Sequence, residues 1–123
     1  METKINEIEV NGVKYVPKGS EQVEAKDSEG LPYVIIRADR AGVFAGYLKD
    51  HNNGKVQLHN ARRLWYWSGA ASLSELANNG TKKPNECKFP APNKKIIILG
   101  VIEIIPATEQ ARKSIEGVKV WQA

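Results

Sequence analysis

One cysteine, one methionine, two phenylalanines and two histidines among 123 residues remove several classes of protein from consideration. A lone cysteine, Cys87, cannot form an internal disulfide, and no apolar stretch follows Met1 to act as a secretory leader, so a reducing cytoplasm is the expected setting. His51 and His59 flank a turn without a Cys or second His at metal-ligand spacing, whereas zinc needs about four ligands, or three and a water. No metal is expected. The longest apolar stretch runs from Ile96 to Ile102, counting Gly100, far short of the roughly 20 residues that span a bilayer. Gly42-Val43-Phe44-Ala45-Gly46 lacks the Gly-Lys-Ser/Thr ending of a phosphate loop and does not fit a dinucleotide fingerprint. Cys87 has no base adjacent in sequence, and no acid–base pair stands out, so neither an enzyme nor a cofactor is expected.

What remains is enough for one domain over 1–123. The composition, 41% hydrophobic and 26% charged, is that of a globular chain. Folding at this length removes roughly 65% of the unfolded surface from water, which leaves little apolar area to spare and makes self-association unsurprising. Charge is uneven: residues 1–31 carry 4 basic and 7 acidic side chains, and residues 32–123 carry 14 and 7, giving −3 and +7. A basic body suits nucleotides, nucleic acid or acidic protein, or is a solvated lysine-rich surface.

Local signals predict an α+β fold, an antiparallel β-sheet core with two short helices in the C-terminal half. Ile8 and Val10, Asn11-Gly12, then Val13, Tyr15 and Val16 read as a hairpin. A loop or short helix follows over Glu21 to Lys26. Tyr33 to Ile36 and Gly42 to Leu48 form a second hairpin, and after Asn52-Asn53-Gly54 a long strand runs from Lys55 to Trp67. Ser72 caps a helix through Ala77, with Glu75 as capping-box partner and Gly80 near its end. Three prolines make Lys82 to Asn93 an irregular loop. Ile96 to Ile105, interrupted at Gly100, reads as the central strand, and Thr108 caps a helix over Glu109 to Glu116 that Gly117 stops. Val118, Val120 and Trp121 then form a packing tail.

The densest chemistry is Asn60-Ala61-Arg62-Arg63-Leu64-Trp65-Tyr66-Trp67. An extended backbone places Arg63, Trp65 and Trp67 on one face and Arg62, Leu64 and Tyr66 on the other. Guanidinium forks pair with phosphate oxygens and an indole offers a flat surface to a base, as a nucleotide pocket requires. Alternatively the aromatics are core or interface residues and the arginines are solvated. Arg37 and Arg40 bracket a connection ahead of Gly42 and Gly46, either as anion ligands or as an exposed turn with its own ion pair. Arg112 on the last helix reaches an anion or lies on a solvated face. Glu103 alternates with Ile102 and Ile104, which puts it on the exposed side of its strand. The residues alone leave a choice between a small anion-binding module and a single-stranded nucleic-acid-binding domain.

Three segments, Ala41 to Gly46, Asn60 to Leu73, and Ile102 to Pro106 with Thr108, resemble the first-described Thoeris anti-defence family, in the same order and over most of residues 5–121. These are small phage proteins that act as sponges for cyclic ADP-ribose signals. The resemblance implies a β-rich core and a homodimer whose pockets draw on both protomers. It further implies capture of glycocyclic ADP-ribose, made by TIR-domain immune proteins, without cleavage, in the cytoplasm of the infected bacterial host. Some members assemble as hexamers, trimers of dimers, with separate sites for cyclic trinucleotides from cGAS-like enzymes. The ligand role carries over to Phe44, Asn60, Arg62, Arg63, Trp65, Phe89 in its Phe-Pro loop, and Arg112. Gly100 departs from the more polar residue expected in some relatives.

Overall fold

A computed structural model of the chain describes residues 8–10, 13–15 and 23–123. The first of these form a two-stranded antiparallel hairpin, β1 (Ile8–Val10) and β2 (Val13–Tyr15), with Val10 opposite Val13. The Asn11-Gly12 turn, Val16 and the first two residues of the expected Glu21–Lys26 segment lie outside the described residues. The rest of that segment is extended rather than helical, because Glu24 and Lys26 make single bridges to Thr108 and Pro32.

The body is a five-stranded antiparallel sheet with two C-terminal helices, an α+β fold. Its strands are β3 (Tyr33–Ala38), β4 (Gly42–Asn52), β5 (Lys55–Arg63), β6 (Asn93–Ile98) and β7 (Val101–Pro106), in the spatial order β6-β5-β4-β3-β7. The apolar run 96–105 is therefore two edge strands and not one central strand. Gly100, at φ +74°, turns the chain between them, a backbone conformation in which glycine carries no Cβ penalty.

That corner forces the sheet to coil. Ile98 sits beside Val56, itself opposite His51 of β4, and Val101 sits beside Ala38, itself opposite Gly42 of β4. In a flat sheet the two edges would be about 19 Å apart across the strands and about 30 Å apart along them. Three virtual bonds from Ile98 to Val101 reach at most about 11 Å. The sheet wraps until its edges meet at this corner, without β6 and β7 pairing along their length. Both hairpin turns of β4 meet the corner: the Asp39 N–H donates to Gly100 O at 2.8 Å and the Val101 N–H to Gly54 O at 2.9 Å.

Two hydrophobic clusters follow from the two faces. Val34, Ile36, Phe44, Val56, Leu58, Ala61 and Ile98 fill the inside of the coil. Ile35, Ala45, Tyr47 and Leu64 on the other face pack against Leu76, Phe89, Ala111 and Ile115. Each fully buried Ile, Leu or Phe contributes roughly 1.5–3 kcal/mol relative to exposure. The second cluster seats α1 (Leu73–Asn79) and α2 (Glu109–Glu116). Ser72 Oγ accepts from the Glu75 N–H at 3.1 Å, and Glu75 Oε1 accepts from the Ala71 N–H at 3.2 Å. Thr108 caps α2 by accepting from the Ala111 N–H and also donates to Asn78 O at 2.7 Å, so one hydroxyl ties the start of α2 to the end of α1. Of the expected packing tail only Val118 is buried; Val120 and Trp121 are 39% and 44% exposed.

Candidate functional site

The geometry of the Asn60–Trp67 string is set by one residue. Between β4 and β5 the pairing steps from Ala45↔Arg62 to Tyr47↔His59, so β5 carries an extra residue there, and Asn60 takes φ +48°. Asparagine tolerates this left-handed conformation better than most residues. The bulge inverts the alternation: Leu58 and Ala61 both face the interior of the coil, which sends Arg62 toward the helices and Arg63 toward the inner side. Gly46 accommodates the bulge, since a Cβ there would lie 2.4 Å from the Ala61 Cβ.

Arg62 is consumed by the fold. It is 3% exposed. Its Nε donates to Pro90 O at 3.0 Å, Nη1 to Ile115 O and Val118 O at 3.1 and 2.9 Å, and Nη2 to Phe89 O at 2.8 Å. The guanidinium thus satisfies carbonyls at the end of α2 and in the Phe-Pro loop, which fits a cation at a helix C-terminus. Burial pushes its pKa below the ordinary arginine value, while the nearby Tyr33 and Glu116 oppose that shift. Phe89 is fully buried beneath it, 5.6 Å from ring centroid to guanidinium carbon. Neither residue lines the concavities at Arg63, and among the described residues both serve the fold instead of the ligand contacts expected of them.

Arg63 has the opposite fate. Its Nη1 donates to Ala41 O, and its guanidinium carbon lies 4.3 Å from the centroid of Phe44. Phe44 is its cross-strand partner and is 1% exposed, so it forms a buried floor rather than an open stacking surface. Arg63 stands between two concavities. One, about 540 Å³, is bounded by Asp39, Arg40, Phe44 and the Ile96–Gly100 corner. The other, about 250 Å³, is bounded by Gly42, Val43, Trp65 and Trp67. Arg40, Ala41 and Arg63 belong to both. Among the described residues no carboxylate pairs with Arg40 or Arg63. Two guanidiniums therefore divide an apolar lobe from an indole-lined lobe.

Other expected contacts lie elsewhere. Arg37 pairs across the sheet with Glu103, Nε to Oε1 at 3.3 Å, an exposed pair that is neither a free anion ligand nor internal to its own turn. Asn60 acts through its backbone. Arg112 donates to Tyr47 Oη at 3.1 Å and pairs with Glu109, while Tyr47 Oη donates to Glu116 Oε2 at 2.9 Å. The hydrogen bond with Tyr47 contributes most to raising the Arg112 pKa above its ordinary value. The structure thus gathers Arg40, Phe44, Arg63 and Trp65, and leaves Arg37, Asn60, Arg62, Phe89 and Arg112 out of the groove. The Ile96–Gly100 wall carries no functional motif in the sequence, where Gly100 within an apolar run is its one signal.

Residues 31–115 match the family described as a domain of unknown function, DUF6948. The chain belongs to that family. The DUF6948 match runs from just before β3 into the last turn of α2, and so contains the whole coiled sheet and every residue of the groove. Neither the curated proteins nor the solved structures include a match to the chain.

Proposed function

We propose that the protein is a phage anti-defence sponge that captures glycocyclic ADP-ribose in the groove around Arg63 and holds it without cleaving it. The observation that carries this reading is the position of Arg63, fixed by Ala41 O over Phe44 in the wall common to both concavities, with Arg40 beside it. A cyclic ADP-ribose isomer carries a diphosphate and a purine. Forked donors suit the phosphates, and the exposed indole of Trp65 beside the partly buried Trp67 suits the base. A sponge needs affinity, on the order of nanomolar or about −12 kcal/mol, and no general base. The resemblance in Ala41–Gly46 and Asn60–Leu73 supports the ligand class, because those two segments supply Arg63, Phe44 and the indoles. The same reading includes cyclic trinucleotides as further ligands, assembly as a homodimer or a trimer of dimers, and action in the cytoplasm of the infected host. No helix among the described residues is long and apolar enough to cross a membrane.

Titration calorimetry with glycocyclic ADP-ribose tests the reading, followed by heating the complex and identifying what is released. Stoichiometric binding with intact ligand recovered is the expected result. No binding, or recovery of linear product alone, overturns it. Cyclic trinucleotides titrated in parallel test the second ligand class, and light scattering reads the assembly.

A further inference from the structure

A second surface lies apart from the groove. Tyr66 and Lys88 exchange backbone hydrogen bonds, Tyr66 N–H to Lys88 O at 3.3 Å and Lys88 N–H to Tyr66 O at 2.8 Å, and the Trp121 N–H donates to Phe89 O at 3.0 Å. Three short segments distant in sequence are thereby held side by side. Their side chains converge: the Lys88 ammonium lies 5.8 Å from the Tyr66 ring centroid and 5.7 Å from that of Trp121. Both rings are substantially open to solvent, Tyr66 52% and Trp121 44% exposed. A depression of about 170 Å³ beside Trp121 is bordered by Lys119 and Pro84. The nearby acid Glu86 is engaged by the Ser68 hydroxyl at 3.1 Å. None of Tyr66, Lys88 and Trp121 lines either concavity at Arg63.

We infer that Tyr66, Lys88 and Trp121 form a binding platform for single-stranded nucleic acid. Exposed rings accept successive bases by stacking, and lysines between and beside them neutralise the connecting phosphates. Duplex bases keep their faces within the helix and cannot use it. The lysine at its centre, with Lys119 beside it, favours an anionic chain over a protein partner, whose interface cores are depleted of lysine although rich in Tyr and Trp. Backbone bonds to a neighbouring segment hold the main chain of each platform residue, so binding orders side chains but not the segments that carry them.

Fluorescence anisotropy with a labelled oligothymidylate, using the full chain, tests this. Binding that weakens with salt is expected, and Trp121→Ala and Lys88→Ala should each reduce affinity roughly tenfold. Lys88→Ala should also flatten the salt dependence by about 0.7 in log–log slope. Trp121→Phe, which keeps a stacking face, should retain most of the affinity, and glycocyclic ADP-ribose binding should be unchanged in all three variants. The inference is overturned by absence of oligonucleotide binding, by equal affinity for duplex, or by binding that these variants leave intact while Arg63→Ala removes it. Self-association that Trp121→Ala abolishes, without oligonucleotide binding, would make the surface a protein contact instead.

Discussion

Arg62 and Arg63, adjacent in the chain, leave β5 in opposite directions: Arg62 donates to four backbone carbonyls around the end of α2, and Arg63 reaches Ala41 O across the groove. One guanidinium holds the fold together and the other remains at a cavity wall. Substitution should separate these roles.

Replacing Arg62 leaves buried carbonyls without donors, each costing about 1–3 kcal/mol. Arg62→Met should destabilise by at least about 3 kcal/mol, and Arg62→Lys should fall well short of rescue, because one ammonium cannot reproduce a planar fork. Urea unfolding monitored by circular dichroism measures both.

Arg40 is exposed and makes no structural bond among the described residues. Arg40→Ala should change stability by less than about 0.5 kcal/mol while weakening glycocyclic ADP-ribose binding about tenfold, the loss of one charge-assisted contact. Calorimetric titration beside a thermal melt separates the two effects.

The Gly46–Ala61 contact has no room for a methyl group, the new Cβ falling 2.4 Å from that of Ala61. Gly46→Ala should cost about 1–3 kcal/mol by overpacking. Adding Ala61→Gly should recover part of that cost, and a double-mutant cycle gives the coupling.

Asn60 at φ +48° predicts a sharper asymmetry. Asn60→Gly should be tolerated, whereas Asn60→Val should cost about 1–2 kcal/mol, since a β-branched residue resists the left-handed region. If the bulge is lost, Arg62 and Arg63 exchange faces, so the same variant should also lose ligand binding in calorimetry.

Tyr33 and Tyr47 pack edge to face with centroids 4.9 Å apart, and burial is the largest cause raising both phenol pKa values above their ordinary value. Their folded-state pKa values exceed the unfolded ones, so the unfolded chain releases these protons first. The stability they contribute is complete below about pH 10 and is lost as pH rises beyond it, by up to about 1.4 kcal/mol per pH unit per group. Melting temperature should fall above pH 10, less steeply in Tyr33→Phe, with the part of the tyrosinate absorbance that Tyr33→Phe removes appearing together with unfolding.

Signals that act over a few residues were legible. Ser72 with Glu75, Thr108, Gly80 and Asn53-Gly54 mark element ends through their own hydrogen bonds or backbone preferences, and the structure places the ends of its elements there. The long β5 was harder. Strict alternation from Lys55 to Trp67 assumes an unbroken pleat, yet the strand stops at Arg63 and the bulge at Asn60 reverses its phase. Asparagine within a polar stretch does not announce a positive φ, because the need for it comes from Gly46 and Ala61 across the sheet. The division between Arg62 and Arg63 depends on that phase and was illegible for the same reason. Likewise Ile96–Ile105 is apolar enough for a central strand. Its splitting onto two edges follows only from sheet closure, a property of all five strands.

The Leu99-Gly100 corner therefore couples two quantities that most binding proteins adjust independently. It latches the sheet by holding both edges together, and it also supplies the rim of the larger concavity beside Arg40 and Arg63. Lengthening it would release the point where the two edges meet, and shortening it would pull the rim inward. Under the proposed function, ligand preference would be most easily changed at Trp65, which is 64% exposed and lies away from that corner.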